Sequence, residues 1–243
     1  QSMLFNGARF VGPTIAGLLM TGLAFGKTGY REFFARLARW RVGARWYVIA
    51  LLAAPLAMTA IPLVLALFLP QYLPGLFTKN DTAALLSLAV AGGFGAGIFE
   101  EIGWTGFVIP ALRRRHSILS TGLIVGFLWG AWHLLVNVWS SGDAAGNLFW
   151  PLFLHSFLFS AGILPAFRVL MVWIYDHTRS LLLAMLMHFS LTAGNVIFVP
   201  QSIEGATGIV WSLVSAVAVW GIVATVILTN RGRLSAKPEL KEA

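Results

Sequence analysis

The chain has no cysteine and few charged residues. Without cysteine, disulfides, thiolate nucleophiles and cysteine-ligated zinc or iron–sulfur centres are excluded. Asp, Glu, Lys and Arg make up only 11% of the 243 residues, whereas soluble domains carry about 25% charged residues. The hydrophobic fraction of 58% and the mean hydropathy of +0.81 exclude a soluble globule and a disordered chain. The composition therefore predicts a single integral-membrane domain over residues 1–243.

Apolar runs dominate the sequence, and a bilayer crossing takes about 20 such residues. The runs cover 10–25, 46–69, 83–109, 118–138, 148–175, 180–200 and 207–229. Because the hydrocarbon region requires all backbone hydrogen bonds to be internal, these runs predict helices. The expected fold class is all-α, a polytopic bundle of about seven transmembrane helices. The first run is short and the chain begins with Gln1, which leaves open whether the start is trimmed and a further helix precedes it.

Basic residues alternate between the connections. One set of connections, together with the tail at 230–243, carries Lys27, Arg31, Arg36, Arg39, Arg41, Arg45, Arg113, Arg114, Arg115, Arg179, Arg231, Arg233, Lys237 and Lys241. The opposite connections carry only Lys79. By the positive-inside rule, the basic side and the C-terminal tail are predicted to be cytoplasmic. The net charge of +8 therefore orients the protein in the bilayer, and we expect no nucleic-acid partner.

Two segments do not fit simple crossings. Segment 28–40 places aromatic residues and Leu37 at helical spacing with arginines off that stripe, which predicts an amphipathic helix lying in the membrane interface. Run 148–175 is too long for one crossing. Arg168 falls about 20 residues into this run, where its head group is predicted to reach the inner boundary. The remainder, 169–175, is predicted to bend along the interface.

Two adjacent carboxylates, Glu100 and Glu101, lie deep in the third run. Ionisable groups cost several kcal/mol in the bilayer core and by default indicate function. Successive helical residues point about 100° apart, so we expect one glutamate to face a central cavity and the other a neighbouring helix. Surrounding glycines permit close helix contacts. The structural alternative is a buried pair that only bonds neighbouring helices together.

Histidines occur in two further runs. His133 follows Trp129 by four residues, so both side chains share one helical face. His188 shares a face with Thr192 and lies seven residues before Asn195. A lone histidine is more often a packing residue, but the combination with two glutamates on three helices favours a site. The weaker candidates are His116, His155 and His177.

This set of residues suits hydrolysis of an amide within the membrane. A buried glutamate can take a proton from water and return it to a leaving amine, and histidine can hold the water, bind a metal or stabilise an oxyanion. The sequence shows no HExxH motif and no Gly-rich phosphate loop after a strand, so neither a zincin nor a nucleotide enzyme is indicated.

Three short motifs occur in order on these three helices. They are Glu100-Glu101-Ile102-Gly103-Trp104-Thr105, Trp129 with His133, and His188 with Thr192. In these motifs, over about residues 85–200, the chain resembles the CPBP intramembrane metalloproteases. That family includes the type II CAAX prenyl endopeptidases and the Abi, or bacteriocin self-immunity, proteins. Segments near the start look like bacterial members, which predicts a bacterial cell membrane as the location.

The resemblance implies roles for the motif residues. Glu100 would be the general base, His133 would position the water or a metal, and His188 would be an oxyanion donor or ligand. Glu101 would have a supporting role. The resemblance also raises a divalent metal such as zinc, held by Glu100, His133 and His188. The expected partners are the lipid bilayer and a membrane-embedded or lipidated peptide substrate.

The chain departs from the family pattern at two supporting positions. Thr105 stands where the family has arginine, and Thr192 stands where it has Asn or Asp. Threonine has no positive charge to balance a glutamate, so either one glutamate is neutral or another cation substitutes. The departures support a second hypothesis, a catalytically degenerate scaffold or immunity protein. A third is an ion or proton carrier that uses the buried Glu and His residues.

Overall fold

The computed structural model describes residues 2–143, 145–200, 205–230 and 234. Most of this part of the chain is helical. The helices are α1 (Ser2–Leu37), α2 (Ala44–Ala66), α3 (Gly75–Thr78), α4 (Thr82–Gly103), α5 (Ile109–Leu112), α6 (Ile118–Ser140), α7 (Trp150–Leu158), α8 (Leu164–Thr178), α9 (Leu181–Phe198) and α10 (Gly205–Thr229). A π-helical turn, Trp104–Val108, joins α4 to α5, and a second, Phe159–Ile163, joins α7 to α8.

Six of the described helical segments are long and apolar enough to cross a membrane. They are Ala44–Ala66, Thr82–Leu112, Ile118–Ser140, Trp150–Thr178, Leu181–Phe198 and Gly205–Thr229. These segments match six of the seven predicted runs and confirm a multi-pass helical membrane protein. The remaining run, 10–25, lies within α1 and is not among the six. Most of the predicted tail, 230–243, lies outside the described residues.

Helix α1 consists of two parts that meet at Gly26. This glycine has a φ of 57°, a left-handed conformation that side chains with a Cβ rarely adopt. The break separates run 10–25 from the segment predicted to be amphipathic. Phe33 of that segment is buried beside Leu181 and Met185, whereas Phe34 is exposed. Part of the predicted apolar stripe therefore packs against the bundle, whereas Phe34 and Trp40 of the same stripe are exposed. The place of the segment in the membrane interface stays a prediction.

The prediction for residues 169–175 was wrong. These residues do not bend along a surface but continue α8 to Thr178 within the centre of the bundle. Nearly all of them are buried, Val172 and Ile174 completely. The apolar cluster that contains α8 also includes residues of α2, α6, α9 and α10. The long run therefore forms one crossing segment whose second half is the most enclosed part of the bundle.

Glycines set how closely the site helices approach. Gly122, Gly126 and Gly130 form a stripe along α6 at four-residue spacing. A Cβ at Gly126 would lie 2.5 Å from Cα of Pro165, and one at Gly122 would lie 2.6 Å from Cα of Val169. These contacts bring the backbone of α8 directly against α6. Helix α4 approaches α9 in the same way, because a Cβ at Gly97 would lie 2.6 Å from the carbonyl oxygen of Met185.

Candidate active site

Glu101 accepts hydrogen bonds from three helical segments. Its side chain is completely buried. Nη1 of Arg168 in α8 lies 2.8 Å from Oε1 and 2.9 Å from Oε2. Nδ1 of His188 in α9 lies 2.8 Å from Oε1, and the hydroxyl of Thr105 donates to Oε2. Glu101 is therefore the point at which α4, α8 and α9 are joined.

The position of Arg168 overturns the prediction for its head group and identifies the cation that pairs with Glu101. Its head group does not reach the inner boundary, because the side chain is fully buried and paired with Glu101. The cation that the family motif would place at residue 105 comes instead from α8. Thr105 keeps a smaller role, since its hydroxyl still donates to the same carboxylate.

Trp129 stabilises the buried guanidinium of Arg168. Cζ of Arg168 lies 4.0 Å from the centroid of the indole ring, a cation–π contact that gains strength away from water. Nε and Nη2 of Arg168 have no hydrogen-bond partner within the part of the chain that the structure describes. The ring face of Trp129 and the carboxylate of Glu101 thus provide the main compensation for this charge.

Glu100 has a different environment from Glu101. It is also buried, and its Oε2 accepts a hydrogen bond of 2.8 Å from Nε1 of Trp129. Nε2 of His188 lies 4.0 Å from the same oxygen. This distance is too long for a direct hydrogen bond, and two polar atoms at this separation can share one bridging water. Glu100 is therefore held by a neutral donor, whereas the charge of Glu101 is balanced by Arg168.

His188 lies between the two glutamates. Nδ1 contacts Glu101, Nε2 faces Glu100, and the imidazole packs edge-on against Trp129 with 4.8 Å between ring centroids. A carboxylate at Nδ1 favours the tautomer with the proton on that nitrogen. Nε2 is then an acceptor in the neutral ring and a donor in the charged ring. His188 can therefore contact a water molecule or a developing oxyanion beside Glu100.

His133 lies one helical turn beyond Trp129. Its ring centroid is 5.9 Å from that of Trp129, and its Nδ1 lies 2.8 Å from the carbonyl oxygen of Trp129. The side chain is half-buried. The sequence positions suggested a depth difference of up to about 10 Å between Glu100 and His133. Trp129 is the α6 residue that bonds directly to Glu100, so His133 is displaced from that contact by one turn, about 6 Å along the axis.

The other predicted residues have varied settings. Thr192 and Asn195 are half-buried on α9, and Cγ2 of Thr192 lies 3.9 Å from a Cβ built at Gly92, two turns before Glu100. His155 contacts the hydroxyl of Ser212 at 2.7 Å, which joins α7 to α10. His177 contacts the carbonyl oxygen of Trp173. The last two histidines act in packing between or within helices.

A bound metal ion needs several donor side chains that converge on one point. No group of three or more His, Asp or Glu side chains is placed to hold an ion among the described residues. Nδ1 of His188 is already engaged with Glu101, which leaves Nε2 of His188 and the carboxylate of Glu100 on the facing side. Within the described part of the chain, Glu100 and His188 therefore offer two donors on this side, fewer than the three protein ligands of a usual catalytic zinc site.

Part of the sequence is similar to known proteins. Residues 82–194 match the family model of type II CAAX prenyl endopeptidase Rce1-like proteins. These residues are therefore similar to the Rce1-like family. They run from α4 to α9 and contain Glu100, Glu101, Trp129, Arg168 and His188. The match confirms the family resemblance that the three motifs indicated.

A curated protein is similar over a comparable number of residues. CAAX prenyl protease 2 of Methanococcus maripaludis is 26% identical over 123 residues, which are 49% of this chain. The matched part is 42% of the relative. The chain thus matches less than half of that protein.

Arg168 is the site residue that the motifs did not indicate. Its depth alone suggested a position near a membrane boundary. The spacing of Gly122, Gly126 and Gly130 was the available signal, because a glycine stripe predicts a close contact with another helix. A cation on the helix at that contact would lie within the bundle rather than at its edge.

Proposed function

We propose that the chain is an intramembrane endopeptidase in which Glu100 activates the attacking water. The observation that carries this proposal is the pair of buried glutamates with unequal partners. Arg168 balances Glu101, while Glu100 has the indole N–H of Trp129 and faces Nε2 of His188 across 4.0 Å. Glu100 is therefore the carboxylate left to exchange a proton with a reacting group.

The reaction follows from these positions. A water between Glu100 and His188 gives one proton to the carboxylate as its oxygen attacks the scissile carbonyl carbon. The carbonyl oxygen becomes an oxyanion, and Nε2 of His188 is placed to stabilise it when this nitrogen carries a proton. The tetrahedral intermediate then collapses, the C–N bond breaks, and Glu100 returns its proton to the leaving amine. The products are a carboxylic acid, which then passes its proton to the new amine, and that amine as its ammonium form, and Glu100 is regenerated.

Glu101 supports this reaction through contacts of its own. Because it bonds to Arg168, His188 and Thr105 together, it fixes the imidazole and the helix spacing around Glu100. His133, which the family resemblance implicates in holding the water, has its Nδ1 at the carbonyl oxygen of Trp129. We propose that His133 helps to hold the water from the side of Trp129 at which the substrate binds. Zinc stays a prediction, and metal analysis of the purified protein tests it.

The proposed substrate is a membrane-associated peptide that carries a lipid. This class is suggested by the Rce1-like match and by the name of the Methanococcus maripaludis relative. Prenylated substrates are the specific form that these names suggest. A basic side that faces the cytoplasm and a bacterial membrane both stay predictions.

The test compares cleavage by purified wild type and Glu100→Ala in liposomes. The substrates are one peptide sequence supplied with and without a prenyl group, and the products are separated by chromatography. Cleavage by wild type and none by the variant supports the proposal. Glu32→Ala is the matched control, because Glu32 is largely exposed on α1. Equal cleavage by wild type and Glu100→Ala would remove the proposed base.

The degenerate-scaffold hypothesis loses one of its two reasons. It depended on the threonines at 105 and 192, and Arg168 supplies the cation that Thr105 lacks. Thr192 remains a departure. The scaffold hypothesis expects cleavage to emerge only when Arg is placed at 105 and Asn at 192, whereas the protease proposal expects cleavage by the natural chain. The ion-carrier hypothesis expects flux in liposomes that depends on Glu100.

A further inference from the structure

A cavity lies apart from Glu100, where α1, α5 and α8 end on the basic side of the bundle. Its volume is about 390 Å³. The second part of α1 forms one wall, and Gly106 and Phe107 of the π-helical turn form another. Tyr175, near the end of α8, completes the wall. None of the site residues Glu100, Glu101, Trp129 or His188 lines this cavity.

Positive charge predominates around the cavity. The arginines that line it are Arg36, Arg39, Arg113, Arg114 and Arg179. The acidic residue that lines it is Glu32, which is largely exposed. Asp176 lies nearby and pairs with Arg113 and Arg179. Even with both acids counted, positive charge is in excess, so the cavity favours an anion.

Arg36 lines this space and has one donor without a partner among the described residues. Its Nη2 donates to the carbonyl oxygen of Gly106 at 2.9 Å, which fixes the guanidinium beside the π-helical turn. Its Nε is buried and has no hydrogen-bond partner among the residues that the structure describes. The contact of Arg36 with Glu32 is 4.0 Å long and leaves Nε unpaired. A buried donor without a partner costs stability, and the Arg36 side chain, 17% exposed, keeps a charge that an anion in the cavity would neutralise.

Neighbouring arginines are held in place around the cavity. Arg113 is fixed by Asp176, with 3.0 Å between Nη2 and Oδ1. Cζ of Arg114 lies 4.4 Å from the ring centroid of Phe25. Positions held in this way lose little side-chain entropy when an anion binds.

An apolar groove begins where the basic cavity ends. Phe107 lines both spaces. The groove has a volume of about 300 Å³ and runs along α1 past Met20, Gly17 and Pro13 toward Trp132. It is lined almost entirely by apolar side chains and glycine. A basic cavity at the membrane boundary that continues into an apolar groove along a membrane helix has the polarity of a phospholipid.

We propose that this cavity binds the phosphate of an anionic phospholipid, with one acyl chain in the groove along α1. Arg36 and Arg114 contact the phosphate oxygens, and Phe107 marks the junction between headgroup and chain. The lipid joins the second part of α1 to the π-helical turn, one residue beyond Thr105. The site is independent of the proposed peptide hydrolysis, because it shares none of the residues assigned to that reaction.

The test measures thermal unfolding of the purified full chain after lipid removal. The chain is supplied with micelles containing phosphatidylglycerol, micelles containing phosphatidylcholine, or inorganic phosphate. Phosphatidylglycerol is expected to raise the melting temperature by several degrees, and the other two additions are expected to have little effect. Arg36→Gln and Arg114→Gln should each weaken the apparent affinity for phosphatidylglycerol about tenfold, as for loss of one charged hydrogen bond. Arg41→Gln, which removes an arginine outside the cavity, should leave that affinity unchanged.

Several results would overturn the proposal. Equal stabilisation by phosphatidylcholine would show that no anion is recognised, and equal stabilisation by inorganic phosphate would remove the lipid. Equal affinities of Arg114→Gln and Arg41→Gln would place the lipid elsewhere, even if Arg36→Gln does not fold. Stabilisation by a peptide with a free C-terminal carboxylate, without stabilisation by phosphatidylglycerol, would assign the cavity to peptide binding.

Discussion

Arg168 and Glu101 lie 67 positions apart in the chain and form a fully buried ion pair between α8 and α4. The family motif has an arginine four positions after the second glutamate. In this chain that residue is Thr105, which hydrogen-bonds to the same carboxylate. The change moves the cation to another helix and makes the site depend on how α6, α8 and α4 pack together.

Replacement of Arg168 should destabilise the protein strongly. Arg168→Met removes the partner of Glu101 and leaves a buried charge uncompensated, which costs about 3–5 kcal/mol. The measurement is the melting temperature of the purified variant in detergent. The double variant Thr105→Arg with Arg168→Met should recover part of the loss, because it restores a cation within reach of Glu101.

Arg45→Met is the control for loss of one arginine. Arg45 stacks on Trp46 at an exposed position, with 4.9 Å between its Cζ and the ring centroid. A loss for Arg168→Met no larger than that for the control would show that the ion pair contributes little to stability. Failure of Thr105→Arg to recover any stability would argue against exchange of the cation between the two helices.

Trp129→Phe should lower the rate of peptide cleavage with little change in KM. The phenyl ring keeps contacts with Arg168 and His188 but lacks the N–H that donates to Glu100. A hydrogen bond to a charged group is worth about 1.5–3 kcal/mol, so kcat should fall about tenfold or more. Trp132→Phe is the matched control, because Trp132 lies three residues after Trp129 in α6 and is partly exposed. An unchanged kcat for Trp129→Phe would show that this donor does not position Glu100.

Gly126→Ala should destabilise the bundle, and Gly221→Ala should not. A Cβ at Gly126 would lie 2.5 Å from Cα of Pro165 and 3.2 Å from Cβ of Arg168, so α6 and α8 would have to separate. A Cβ at Gly221 in α10 meets nothing within 4 Å. There alanine should be neutral or stabilising by up to about 1 kcal/mol, because it favours helix over glycine. Melting temperatures of the two variants provide the comparison, and equal values would contradict the close packing of α6 on α8.

Much of the fold was predictable because membrane helices leave a strong signal in hydropathy. Six predicted runs match helices of sufficient length and apolar character. The convergence of Glu100, Glu101 and His188 was also expected, since polar groups at depth require partners. What hydropathy does not contain is the register and tilt of one helix against another. For that reason the partner of Arg168 was not predicted, and the depth difference between Glu100 and His133 was expected only as a range of up to about 10 Å.

The second half of run 148–175 shows the same limit. Its length suggested a bend along the interface, because one crossing takes about 20 residues. In the bundle, the π-helical turn at Phe159–Ile163 and the helix after it form one segment that reaches Thr178. Length alone could not separate these outcomes. The burial of Val169 and Val172 against other helices decides for the continuous segment.

The most direct test of Glu100 as the base uses a lipidated peptide and water labelled with oxygen-18. Wild-type protein should cleave the peptide and place one labelled oxygen in the new carboxylate. Glu100→Gln, which keeps an acceptor for Trp129 but cannot take a proton, should retain its melting temperature and lose cleavage by at least about a hundredfold. Cleavage by Glu100→Gln at the wild-type rate, with the same label in the product, would contradict the account.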